Sequence, residues 1–318
     1  IETEGSDIDI SSLTLAWQPK ELWQKKLHIR RLAAGDIHIQ SKPTPPKETT
    51  PSQAPQSVSL PVEVALDSLE VGRITSGKAK SEVLRHARLN YVYDHKQHRI
   101  HVGSIQTPWS DSSGLLTLDT AAPFKLGGDI AGSGALNDIA VDGTFKLSGE
   151  LQNIQLNSNL AGQGVKLTAD TQIHPFGNTL DKIIGHVAIK GNGLNPQAFI
   201  ASAPKADLDF DATVVPAATS GLSLEGSIDL ANHQAAAADQ GGIPVRSLLA
   251  DFTVDENGVL KILEADAALL KKGRISFSGS TQLRLNPRGD GRAVRAGLWG
   301  AGFSFPLARP RRLGYTGV

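Results

Sequence analysis

Apolar and polar side chains alternate one for one along most of this chain, and that period of two constrains the backbone more than any other feature. An extended strand sends successive side chains to opposite faces. Ile8 and Ile10 alternate with acids, and Leu13, Leu15 and Trp17 resume the pattern after a one-residue slip at Ser11 and Ser12. Leu27 with Ile29, Ile37 with Ile39, and Val62, Val64 and Leu66 repeat it. So do Phe145 with Leu147, Ile154 with Leu156, and the longest run, Val165, Leu167, Ala169, Thr171 and Ile173. Val187 with Ile189 comes next, then Leu208, Phe210, Ala212 and Val214, then Leu222 with Leu224 and Ile228 with Leu230. Phe252 with Val254 and Ile275 with Phe277 complete the series. Each strand is therefore apolar on one face and wet on the other. The apolar face must be covered by a second sheet, by closure into a barrel, or by an apolar ligand.

Composition agrees with short strands and turns. Glycine stands at 32 of 318 residues while aromatics reach only 5%. Asp142-Gly143 and Asn257-Gly258 predict type I′ hairpin turns. Gly185, Gly191, Gly193, Gly221, Gly226 and Gly279 predict bends or bulges at strand edges. A loose echo, an alternating apolar segment that ends in glycine, recurs at Leu147–Glu150, Ile189–Asn192, Leu224–Ser227 and Phe277–Ser280. Its uneven spacing speaks for a hairpin array and against a strict solenoid. Helical signal is thin: Pro19 to Trp23 predicts a single turn opened by proline, and Val83-Leu84 is ambiguous. The segment Ala231–Gly242 is either a loop or a short helix. The order along the chain is an amino-terminal β region (1–40), a Pro/Thr-rich loop (41–57), a repetitive β region (58–287) and an arginine-rich tail (288–318). The tail abandons the alternation, and reads either as out-of-frame or truncated sequence after Asn286 or as a basic disordered terminus.

Charge and motif content remove several classes of function. Lys+Arg and Asp+Glu both number 32, without the basic surplus of a nucleic-acid binder, so no nucleic-acid partner is expected. Cysteine is absent, and with it disulfides, thiolate metal sites and a cysteine nucleophile. The chain opens on Ile1 without methionine, which is the expectation for a processed product or a fragment. It shows no signal peptide, and no apolar run nears the roughly 20 residues of a spanning helix. His95, His98 and His101 read as a solvated hairpin rim, with His98 pointing away from the other two, and not as a metal site. His28 and His38 fall in the polar phase and read as exposed. Asp207, Asp209 and Asp211 share the wet face of a strand without the turn of a calcium loop. No nucleophile elbow, zinc-protease helix or phosphate loop occurs, and no helix follows Gly127–Gly134 to receive a pyrophosphate. No catalytic residue, metal or cofactor is expected, and an enzyme has no residues to stand on.

One stretch is more specific. Ile8, Ile10, Leu13, Leu15, Trp17, Pro19, Leu22, Leu27, Ile29, Leu32, Ile37 and Ile39, at these spacings, resemble the amino-terminal region of the TamB family, of AsmA-like type. The Pro-rich stretch followed by Ser59-Leu60-Pro61-Val62-Glu63-Val64, with Leu66, Leu69 and Val71, looks like the next element of that family. The glycine-punctuated strands, such as Gly132–Gly143, are similar to its repetitive middle. The resemblance implies a long β protein bridging the Gram-negative periplasm, anchored in the inner membrane by a segment that this chain lacks. It also implies a trough with an apolar interior and an outer-membrane partner of TamA type, met through a carboxy-terminal region that is absent here. Family members are linked to phospholipid movement toward the outer membrane and to assembly of outer-membrane proteins and autotransporters.

The expected fold is mainly β, an elongated, curled antiparallel-type sheet forming an open trough (a β-taco) with a hydrophobic interior. The expected function is a groove for phospholipid acyl chains, lined by Phe145, Leu147, Val165, Leu167, Phe210, Leu222, Leu224, Phe252 and Phe277. Aliphatic walls suit acyl chains, which need dispersion and exclusion from water and offer no hydrogen bonds to read. Two other readings compete: a surface whose strand edges template barrel-protein clients without conducting lipid, and a structural β-helix or adhesin-like module.

Overall fold

A computed structural model describes residues 6–41, 54–136, 139–271 and 273–282. The arginine-rich tail and most of the Pro/Thr-rich loop lie outside the described residues. The alternating segments form β1 (Ser6–Ile10), β2 (Leu13–Trp17), β3 (Lys26–Ser41), β4 (Glu63–Ser76), β5 (Ser81–Leu84) and β6 (His86–Tyr93). They continue as β7 (Gln97–Gln106), β8 (Ser110–Asp119), β9 (Leu126–Leu136), β10 (Ile139–Glu150), β11 (Asn153–Gly162) and β12 (Val165–Ile173). The series ends with β13 (Ile184–Leu194), β14 (Leu208–Pro216), β15 (Leu222–Asn232), β16 (Val245–Asp255), β17 (Val259–Leu269) and β18 (Arg274–Gln282). Helix is confined to single turns, among them a 3-10 turn over Pro19–Gln24, α1 (Leu180–Ile183) and α2 (Pro196–Phe199).

All 18 strands belong to one sheet. From β6 to β18 each strand pairs antiparallel with the next, which the short connections permit. The amino-terminal end is less regular. β1 and β2 lie end to end along one side of β3, and β5 and β6 lie likewise along β4. Two expectations need correcting. β3 and β4 run parallel, so the sheet is mixed. A parallel neighbour needs a crossover back to the starting end, and 21 residues separate Ser41 from Glu63. The sheet is also open and uncurled where a curl was expected. Across its middle, Ser112, Gly132 and Gly143 sit in register, and side chains this short have little with which to draw the two flanks together.

Local chemistry explains the irregular points. At the Ser11-Ser12 slip, the Ser11 Oγ accepts from the Asp36 amide at 2.8 Å, and the serine hydroxyls occupy the space a Cβ on Gly35 would need. Asn257-Gly258 does make the β16–β17 turn, with Gly258 at φ 76°, but Asn257 stays out of the left-handed region. Asp255 sets this turn instead: its Oδ1 accepts from the amides of Asn257 (2.8 Å) and Val259 (2.9 Å), a side-chain-closed turn in place of type I′. Asp142-Gly143 makes no turn. Both residues lie within β10, where Gly143 pairs with Gly132 and Leu160, because the alternation on either side carries the strand straight through. Val83-Leu84 belongs to β5, and Ala231–Gly242 closes β15 and then makes a short 3-10 turn at Ala238–Gln240.

Candidate functional site

Paired residues in a sheet point to the same face, so the register can be followed from strand to strand. Leu167 on β12 opposes Leu160 on β11 and Gly191 on β13. In one direction the line runs from Leu156 to Leu147, Gly128, Leu116, Ile100, Tyr91 and Leu66, and on to Ile29 and Trp17. In the other, Gly191 leads to Phe210, Leu230, Leu248, Ala267 and Ile275. The apolar residues of every strand from β2 to β18, the short β5 apart, thus lie on one continuous face. Burial falls on that face too: Ala87, Tyr93, Val102, Ile139, Val165, Leu208, Leu224, Val254, Ala265 and Ala267 are all buried there. Most of their neighbours on the face are only half-buried, while Lys166, Thr168 and Asp170 opposite them stand in solvent.

Eight of the nine expected lining residues, all but Leu222, are brought onto this face by unbroken pairing. Phe145, Leu147, Leu167, Phe210, Phe252 and Phe277 are half-buried, and Val165 and Leu224 are buried. Leu222 lies beyond a register shift in β15 and opposes Asp255. Two of the phenylalanines lean over glycines on the adjoining strand. Phe210 lies against Gly191 on the next strand, and Phe252 against Gly226, where each ring fills the space of the missing side chain. The loose glycine echo of the sequence is explained at these two positions. Flat rings leave a low, continuous hydrocarbon surface.

Polar side chains enter the apolar face at one corner. The Tyr93 hydroxyl accepts from the Leu60 amide (2.9 Å) and donates to the Leu60 carbonyl (3.1 Å), while its ring is 1% exposed. His98 Nε2 donates to the Val58 carbonyl at 2.7 Å, and its Nδ1 meets the Tyr91 hydroxyl at 2.7 Å. The His98 ring stacks on Tyr93 at 4.6 Å between centroids. Burial holds the Tyr91 hydroxyl above the ordinary tyrosine range. Together these three rings tie the extended segment before β4 over the edge of the face. Sequence reading missed this strap, although Tyr91-x-Tyr93 and the apolar phase of His98 with Ile100 and Val102 carried the signal. His95 sits in the β6–β7 turn at φ 65° and His101 on the polar face.

The polar face is tied by charge. His28 was expected to be exposed; instead its Nδ1 donates to Glu21 Oε1 (2.9 Å) and its Nε2 to Asp67 Oδ2 (3.0 Å), leaving the side chain 16% exposed. Two carboxylate acceptors require both ring nitrogens to carry protons, so Glu21 first and Asp67 second raise its pKa above the ordinary histidine value. Asp209 accepts from the Gly193 amide (2.9 Å) and from His233 (3.0 Å), which hold it below the usual carboxylate range, and Asp211 pairs with Lys190 at 2.7 Å. A cavity of about 690 Å³ lies mainly on this face, over the short side chains Ser113, Ala131, Ser133 and Thr144.

An open β-sheet with no covering layer among the described residues, apolar along one face and half-exposed there, is the architecture of the β-trough class. Residues 1–107, about a third of the chain, match the family described as TamB, N-terminal domain, which supports a TamB-family reading of the chain. No curated protein and no solved structure matches it.

Proposed function

We propose that the apolar face receives the hydrocarbon chains of phospholipids and serves a TamB-like protein in moving them across the periplasm toward the outer membrane. The observation that supports this reading is the register: it aligns the apolar residues of the strands from β2 to β18, β5 apart, on one face and leaves most of them half-exposed. Each methylene taken from water onto such a surface gains up to about 0.8 kcal/mol, and a chain of methylenes asks nothing of the wall but contact. The same proposal includes an inner-membrane anchor, support of outer-membrane protein and autotransporter assembly, a partner of TamA type, and a role without catalysis.

A photo-crosslinking residue at position 167 tests it against the same residue at 166, on the opposite face of the same strand. Phospholipid captured at 167 and not at 166 is the expected result. Equal capture at both positions, or capture of unfolded barrel protein at strand edges with no lipid at 167, overturns it.

A further inference from the structure

At the amino-terminal corner the apolar face ends on an edge strand, where its chemistry changes. β2 is an edge strand, and its outer side meets no strand among the described residues. Leu13 (65% exposed), Leu15 and Trp17 lie on its apolar face. The 3-10 turn that follows adds Leu22 and Trp23, the latter 93% exposed. Large side chains left in water at this level, five of them between Leu13 and Trp23, mark a contact surface.

The charges around them narrow the choice of partner. From Pro19 through Arg31 stand five Lys or Arg residues and one acid, in a chain whose 32 basic and 32 acidic residues balance as a whole. The acid, Glu21, is taken up by His28 (2.9 Å) and Lys26 (3.3 Å), and Arg31 by Glu70 (2.6 Å). Lys20 and Lys25 are exposed and make no ion pair among the described residues. Lys25 moreover sits at φ 58°, a left-handed position that glycine would occupy with less strain. Tryptophan and leucine ringed by unpaired lysines match the layered chemistry of a bilayer surface, acyl boundary below and anionic headgroups above. They match a protein partner less well, since interface cores are depleted of lysine. A second copy docked edge to edge on β2 would set basic corner against basic corner.

We propose that the corner formed by Leu13, Leu15, Trp17, Leu22 and Trp23, with Lys20 and Lys25, seats on an anionic phospholipid bilayer. This goes beyond the groove reading and does not depend on it. The test is flotation of the protein with vesicles of phosphatidylcholine, with and without phosphatidylglycerol, across a salt series. Binding should require phosphatidylglycerol and weaken with salt. K20Q/K25Q should lower partitioning about 25-fold, at about fivefold for each lysine near an anionic surface. W23A removes a side chain that packs on nothing and should lower it about tenfold. Photo-capture of lipid at position 167, read separately in the K20Q/K25Q variant, reports on the groove alone, so failure here and failure of the groove reading are told apart. Unchanged binding by K20Q/K25Q and W23A, or equal binding to pure phosphatidylcholine, overturns the proposal. So does a dimer in light scattering that W23A abolishes.

Discussion

Phe210 lays its ring over the backbone of Gly191, the residue directly opposite it on the adjoining strand. A β-carbon built at Gly191 would fall inside contact distance of the ring, so the pair works as one unit: the glycine makes the space and the phenylalanine closes it. G191V should therefore lift the ring off the sheet and destabilise the protein by about 1–3 kcal/mol, the usual range for overpacking. F210A should cost about 1 kcal/mol, since the ring is only half-buried. Denaturant unfolding of both single variants and the double variant measures the coupling. Strictly additive effects would show that the two residues do not act together.

Leu167 tests the face as a surface and not as a packed core. Its side chain is half-buried and opposes Leu160 and Gly191. L167D should abolish acyl-chain capture at neighbouring positions yet cost only about 1–2 kcal/mol of stability, because the carboxylate can reach water over the open face. Far-UV circular dichroism with thermal melting checks the second half. Loss of the β signal at room temperature would mean that the face is sealed.

The clamp on His28 makes a pH prediction with a definite sign. A histidine whose pKa is raised on folding stabilises fully below its ordinary pKa and loses that contribution as pH rises through the raised value. Glu21 is held below its ordinary value, chiefly by the hydrogen bond from His28, so its share is present above that value and fades as pH falls through the lowered one. The clamp should thus be strongest between the ordinary glutamate and histidine values, and fade at the alkaline end by deprotonation of His28 as pH rises through its raised pKa. NMR titration of the imidazole nitrogens reads it directly. A His28 midpoint at or under that of an unperturbed histidine side chain would contradict the geometry.

Tyr93 should be needed for the strap and not for the sheet. Y93F removes one hydroxyl and leaves the Leu60 amide and carbonyl without their partner. The expected cost is about 1–2 kcal/mol, with faster hydrogen exchange at Leu60 and unchanged exchange in β12. Equal acceleration in both places would place Tyr93 in the global fold instead.

The strands were legible because their signal is local. Val165–Ile173 alternates cleanly and forms β12 almost to the residue, and Pro19 opens the one expected helical turn. Eight of the nine residues named for the apolar face share it because a period of two, once pairing exists, leaves each strand only one way to join its apolar side to its neighbour's. Asp142-Gly143 misled because turn chemistry is a preference, and it yields where strands on both sides hold the backbone extended. His28 misled for a different reason. Its polar phase was right, but Glu21 and Asp67 come to it from a turn and from β4, and that meeting depends on β3 and β4 pairing in parallel.

By itself, then, the sequence determined that strands form, which side of each is apolar, and that no strand could hide that side alone. Those are properties of a few consecutive residues, set by backbone geometry and side-chain chemistry. Only the tertiary structure decided that β3 and β4 run parallel, that the sheet stays open, that rings lie flat over glycines, and that Tyr93 and His98 tie a strap across one corner. Each of these joins residues distant along the chain or on different strands, and such meetings follow from pairing partners and direction, which alternation leaves free.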